Sequence, residues 1–277
     1  MERRDPLGAA GPTGAVVAPE GPDRVPGVAR TAAAPPPADG TIPDTDEQRI
    51  AELVVSNHIL YDHNIFDGFG HLSVRSAADP AHFFMQRSGL VPDSVTSDDV
   101  IEYDQDGEPY KAHGRTGPSE RYIHSEIYRA RPDVMSVVHS HTDAVLPFGL
   151  TKAPLKAVLH TAYFLGSEPA PVFDTREPIG QDNNMLVDNA PAGAALARTL
   201  SARSVVLMRG HGMTVVGPTV HDTVFRAVYT RVNVQAEAEA LKLGDPVFLN
   251  RFEVDRGDPV SVHWAWWAAQ AETRLVR

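Results

Sequence analysis

One short run of β-branched apolar residues ends in two histidines a residue apart, Val137-Val138-His139-Ser140-His141. No other stretch constrains the chain as tightly. β-Branched side chains favour an extended backbone, and in a strand residues i and i+2 point to the same face. The pattern therefore predicts a strand over Ser136–His141 that presents two imidazoles side by side, as a divalent metal ion requires. In a chain with 12 histidines such a pair also arises by chance, so its surroundings decide its weight.

Two features supply that weight. A third imidazole stands in Arg209-Gly210-His211-Gly212, just past the apolar Val205-Val206-Leu207, where flanking glycines allow close backbone approach. Three neutral imidazoles leave an open coordination position, the mark of a catalytic rather than a structural ion. Glu120 lies in Gly117-Pro118-Ser119-Glu120, at the start of a predicted helix. Its carboxylate has two readings: a first-turn acid favoured by the helix dipole, or a group aimed at the open position, able to move a proton or complete the ligand set.

Composition narrows the chemistry. There is no cysteine among the 277 residues, so a metal must take nitrogen and oxygen ligands and no disulfide forms. A formal charge of −11 without clustered Lys and Arg excludes a nucleic-acid binder. No apolar run reaches the roughly 18 residues of a membrane span, and no apolar segment follows Arg3 and Arg4 as in a signal peptide. A cytoplasmic protein is the expectation.

Residues 1–42 are rich in Pro, Ala and Gly without apolar periodicity and read as a disordered extension. The folded part is expected over 43–277. Asp44 and Thr45 are cap types for a helix carrying Ile50, Leu53, Val54 and Leu60. Strands are expected at His71–Arg75, His82–Gln86, Val100–Tyr103, Pro171–Asp174, Ser204–Arg209 and Met213–Val216. Helices are expected from Pro118 to about Ala130, over Asn189–Ser201, and from Thr219 to Leu243, the last ending at Gly244. Trp264, Trp266 and Trp267 in the tail suit packing. Strands and helices in mixed order predict a layered α/β or α+β domain.

Read together, Ser119–His141, Gly70-His71-Leu72-Ser73-Val74-Arg75 and Met208–Met213, with Glu120, His139, His141 and His211 in order, resemble the class II aldolase/adducin family. The resemblance spans about residues 45–255. It implies a single α/β domain with a central mixed β-sheet covered by helices, and a homotetramer. It also implies His139, His141 and His211 as metal ligands and Glu120 as the catalytic acid/base or a displaceable ligand.

The sequence departs from the sugar-phosphate members at their phosphate cradle. The family's Gly-Asn turn reads Gly70-His71, its Thr-Gly turn reads Ser88-Gly89, and its Ser-Ser pair reads Pro118-Ser119. Lost donors leave that cradle incomplete, while Arg87 beside Ser88-Gly89 suits a carboxylate. Arg87, Ser88, Gly89, His71 and Ser119 are therefore the substrate-binding candidates, with His160 and Tyr163 in a segment that could face the pocket. A surface cation at Arg87, a satisfied turn histidine at His71, and packed or surface roles for His160 and Tyr163 are the alternatives.

The chain also resembles the oxygenase branch of the family from aminocoumarin antibiotic biosynthesis. That likeness implies a non-haem iron(II) enzyme that converts a prenylated 4-hydroxyphenylpyruvate, with dioxygen, to a mandelate and then a benzoate. The rival expectation is a zinc- or manganese-dependent aldolase or aromatic-acid decarboxylase of the same fold. A scaffold without catalysis is a third, disfavoured by the intact ligand set. His58, His63, His82, His113, His124, His221 and His263 lack partners at ligand spacing and are read as structural or solvent-facing. The charged residues Arg226, Arg231, Glu237 and Glu239 of the long helix are read as a solvated or intersubunit surface.

Overall fold

Side chains that alternate between two buried sheet faces build the architecture. In the computed structural model, which describes residues 42–43, 45–110, 112–254 and 261–275, a seven-stranded sheet runs in the order β3-β2-β1-β4-β7-β6-β5. Its strands are β1 (His71–Arg75), β2 (Phe83–Gln86), β3 (Val100–Tyr103), β4 (Ser136–Ser140), β5 (Val172–Phe173), β6 (Val205–Met208) and β7 (Gly212–Gly217). Every pairing is antiparallel except β5 with β6. The sheet is thus mixed, as expected. The Asp44 cap and the extension, apart from Ile42, lie outside the described residues.

The helices are α1 (Asp46–Asp62), α2 (Arg121–Ala130), α3 (Leu146–Leu150), α4 (Ala190–Leu200), α5 (Val220–Leu243), α6 (Arg251–Val254) and α7 (Ser261–Leu275). Leu72, Val74, Val138, Leu207 and Val215 face one apolar core with α1, α5 and α7. Their neighbours Val137, Val206, Met208 and Val216 face a second core with α2 and α4. This period-2 alternation buries both sheet faces, and each fully buried Val or Leu contributes about 1.5–3 kcal/mol.

Local signals set most boundaries. Thr45 caps α1 by accepting from Gln48 N–H, Asn189 caps α4 by accepting from Ala192 N–H, and Thr219 caps α5 by accepting from Asp222 N–H. Gly244 ends α5 with φ +153°. Several expected boundaries shift. His82 belongs to a turn closed by its own N–H on Asp79 O, so β2 starts at Phe83. Helix α2 starts at Arg121, not Pro118, and β4 stops at Ser140, which leaves His141 beyond the strand. No helix among the described residues is long and apolar enough to cross a membrane.

Two regions differ from the sequence reading. Helix α7 was not foreseen; Trp264 lies fully buried, stacked on His221 with ring centroids 4.0 Å apart, while Trp266 is exposed. The α5 charges do not form a solvated face. Glu237 is fully buried, accepting from Lys156 N–H, and Arg226 Nη1 donates to Val216 O at 2.7 Å. Of the four, Glu239 is the exposed one, paired with Lys242 at 2.6 Å. A helical period of 3.6 and a loop packed across α5 bring polar groups inside that a linear reading puts outside.

Burial pushes the Glu237 carboxyl up to about 7, against the Lys156 N–H and ammonium that lower it. Its unfolded-state pKa is lower, so the native chain holds the extra proton between about pH 4.5 and 7 and loses stability as pH rises through that window. Glu237→Gln removes the ionisation. The gain in melting temperature over the parent should grow from pH 5 to pH 8, as followed by differential scanning calorimetry.

Candidate metal centre

Register places the first ligand. His139 on β4 lies opposite His71 on β1 and opposite Thr214 on β7, so the three side chains form one cross-strand row on the α2 face. His139 is fully buried. His141 follows the strand end, and its ring meets that of His139 edge-on at 5.2 Å between centroids. The pair is therefore assembled by a strand and the turn after it, not by two same-face strand positions.

His211 sits in the turn between β6 and β7. Gly210 before it has φ +65°, a left-handed backbone that glycine adopts without strain. Gly212 after it passes so near Ser140 that an added Cβ would lie 2.0 Å from the Ser140 oxygen. These two glycines let the His211 turn close over the end of β4.

Glu120 is the N-terminal cap residue of α2 but makes no side-chain cap to that helix. Its Oε1 accepts instead from Val187 N–H at 2.9 Å, and its Oε2 lies 3.5 Å from His139 Nε2 and 3.4 Å from His211 Nε2. Burial raises the Glu120 pKa, but the charges and hydrogen bonds of His139 and His211 outweigh it and hold the carboxyl well below its ordinary range. Burial also lowers His139, against Glu120.

Hydrogen bonds fix which nitrogen each imidazole offers. His211 Nδ1–H donates to Met185 O at 3.0 Å, and His141 Nδ1–H donates to Asp67 Oδ2 at 3.2 Å. His139 Nδ1 lies 3.5 Å from Thr214 Oγ1, whose proton is directed to Met208 Sδ. All three Nε2 edges turn toward one another and toward Glu120 Oε2. His141 Nε2 and His211 Nε2 approach to 3.0 Å, and buried His139 Nε2 has no well-aligned hydrogen-bond partner. One ligand atom from each of Glu120, His139, His141 and His211 lies within 4.8 Å of the others. Nitrogens bound at 2.0–2.1 Å to a tetrahedral ion are about 3.3 Å apart, so the donor set fits a divalent metal.

A cavity of about 370 Å³ opens beside this cluster. Five of the expected substrate positions line it: His71, Arg87, Ser88, Gly89 and Ser119. Arg87 does not present a free fork, since its Nε donates to Asp99 Oδ1 at 2.8 Å. His160 and Tyr163 are absent from the lining; they lie in a 3₁₀ turn, His160 exposed and Tyr163 packed on Phe164.

Four partners escaped the sequence reading. Asp67, Thr214, Met185 O and Val187 N–H come from segments with no motif of their own, and two are backbone groups, whose placement depends on tertiary structure. His124 was read as structural or solvent-facing. It is fully buried on α2 with its Nε2 at 2.7 Å from His71 Nδ1, and burial lowers it to about 3.

A mixed sheet with helices on both faces, carrying three imidazoles and a glutamate around one point, defines a class of metal-site α/β proteins. Residues 51–236 match the class II aldolase and adducin N-terminal domain, and the chain belongs to that family. It is similar to the decarboxylase TropJ of Talaromyces stipitatus, with 41% identity over 200 residues, 67% of this chain and 74% of that protein. It is also similar to the 3,4-dihydroxyphthalate decarboxylase of a Terrabacter species, with 32% identity over 175 residues, 58% and 68% of the two chains. The 4-hydroxy-3-prenylphenylpyruvate oxygenase/4-hydroxy-3-prenylbenzoate synthase of Streptomyces roseochromogenus is 28% identical over 188 residues, 66% and 65% of the two chains. In fold it matches an aldolase II superfamily protein from Pseudomonas syringae with TM-score 0.69 and 21% identity, covering 85% of this chain and 96% of that one.

Removing a second partner of a ligand typically costs 10–100-fold in metal affinity. Asp67→Ala should weaken zinc binding by about that factor, and His139→Ala should abolish it with the chain still folded. Competition against a chromogenic chelator, with circular dichroism as the folding control, measures both.

Proposed function

We propose that the chain is a divalent-metal-dependent decarboxylase of an aromatic acid. The observation that carries the reading is the convergence of three imidazoles and one carboxylate beside the cavity. The likeness to two decarboxylases, one named for a dihydroxyphthalate, supports the reaction class.

His139, His141 and His211 would hold the ion, zinc or manganese in this reading, and when bound it supplies Lewis-acid stabilisation of negative charge on substrate oxygen. Leu90, Pro92, Val95, Pro118 and Leu186 give the cavity an apolar wall. Such a wall disfavours a carboxylate relative to neutral carbon dioxide and excludes water. As the bond to the carboxyl carbon breaks, its electron pair stays on the ring carbon and a proton takes the vacated place. That proton comes from solvent, and Glu120 passes it on at Oε2, with Oε1 anchored on Val187 N–H. Arg87, Ser88, Gly89, His71 and Ser119 orient the ring and its substituents. A homotetramer accompanies this reading, as the family resemblance implies.

The likeness to the Streptomyces oxygenase favours a second reading. In it the same three histidines hold iron(II), and a prenylated 4-hydroxyphenylpyruvate is decarboxylated oxidatively with dioxygen.

Oxygen dependence separates the two. The chain reconstituted separately with zinc, manganese and iron(II) should release carbon dioxide from a hydroxylated benzoic or phthalic acid at equal rates in air and under nitrogen. Glu120→Gln should keep the metal and lose at least 100-fold in turnover. Turnover confined to an aryl pyruvate, with stoichiometric dioxygen uptake, would overturn the decarboxylase reading in favour of the oxygenase.

A further inference from the structure

A chain of buried polar groups leads away from the metal site on the α2 face of the sheet. His71 Nδ1 lies 2.7 Å from His124 Nε2, and His124 Nδ1 lies 2.6 Å from Ser73 Oγ. Ser73 Oγ lies 2.7 Å from the Tyr128 hydroxyl, which is 3.4 Å from Met135 O. His71, Ser73, His124 and Tyr128 are all buried. Burial disfavours an imidazolium, so each ring carries one proton and each short contact must hold one hydrogen.

Those conditions allow two arrangements. In one, every donor points away from the cavity: His71 Nδ1–H to His124, His124 Nδ1–H to Ser73, Ser73 O–H to Tyr128, and Tyr128 O–H to Met135 O. In the other every donor points toward the cavity, and His71 carries its proton on Nε2. The first makes all four contacts; the second loses the one to Met135 O, because a carbonyl only accepts. The first also turns the His71 lone pair, not an N–H, toward the side where the metal ligands gather. His71 and His139 ring centroids are 5.0 Å apart, so a cation among the ligands favours that orientation.

Most other polar side chains of the cavity wall already hold protein partners. Gln86 accepts from Leu72 N–H and donates to Gly70 O, Ser88 Oγ donates to Thr116 O, and Arg87 is paired with Asp99. Glu120 belongs to the metal cluster. Ser119, exposed on the wall, carries a hydroxyl that both donates and accepts and so does not discriminate. We propose that His71 is a specificity-determining hydrogen-bond acceptor for a hydroxyl group on the aromatic acid, and that His124, Ser73 and Tyr128 are positioning residues that hold it in the Nδ1–H tautomer. The inference rests on the aromatic-acid reading for the ligand, but not on turnover.

Two measurements on the zinc-loaded chain test it. Long-range proton–nitrogen correlation spectra of uniformly ¹⁵N-labelled protein, with His71 assigned by loss of its signals in His71→Phe, should show the Nδ1–H tautomer. In Tyr128→Phe the Ser73 hydroxyl loses its acceptor and turns to His124 Nδ1, so the His71 proton should move to Nε2. Isothermal titration with benzoate and with 2-, 3- and 4-hydroxybenzoate should find at least one hydroxylated isomer bound about tenfold tighter than benzoate. That preference should shrink in Tyr128→Phe, because a phenolic oxygen accepts more weakly than its hydroxyl donates, with benzoate affinity unchanged. A merely structural role for the network would move neither the tautomer nor the preference. An Nε2–H tautomer in the parent, or equal affinity for benzoate and all three isomers, overturns the proposal. If none of the four acids binds, the aromatic-acid reading falls and the hydroxyl assignment with it, while the spectrum still decides the tautomer.

Discussion

Three Nδ1 atoms engaged by oxygen govern the rest of this molecule. Met185 O, Asp67 Oδ2 and Thr214 Oγ1 each meet the Nδ1 edge of one imidazole, and each thereby leaves an Nε2 edge facing the same point. Without them the rings would be free to turn away and lose the 3.0 Å approach of His141 Nε2 to His211 Nε2. The partners come from three places: a loop before α4, the segment before β1 and the strand β7. Closure of the sheet around β4 is what brings them to one site.

The segment between β5 and α4 ties the centre to the outer face. Asp174 holds Arg209 by an ion pair at 2.7 Å, just before the His211 turn. Met185, in a left-handed backbone at φ +63°, supplies its carbonyl to His211, and two residues on Val187 N–H anchors Glu120. One loop thus orients a ligand and the acid/base candidate together. A substitution that moves this loop is expected to disturb both at once.

Much of this was legible in the residues. The β-branched run, the glycines about His211, the caps Thr45, Asn189 and Thr219, and the stop at Gly244 act through local backbone preferences, and the structure realises each of them. The candidate ligand set is the one the resemblance implies, and the structure brings its four side chains together. What the residues hid is non-local. Strand order, the inward face of Glu237, the stacking of Trp264 on His221 and the link from His71 to His124 depend on which elements pack together. The Arg87 reading suffered in the same way: its partner Asp99 lies 12 residues on, across the β2–β3 pairing, and no spacing rule announces it.

X-ray absorption at the zinc K edge tests the central claim most directly. The account predicts a first shell of three imidazole nitrogens and one oxygen at about 2.0–2.1 Å, with the outer-shell scattering of three histidine rings. His211→Ala should lower that ring count to two. A first shell with one imidazole or none, or an unchanged spectrum in His211→Ala, would contradict it.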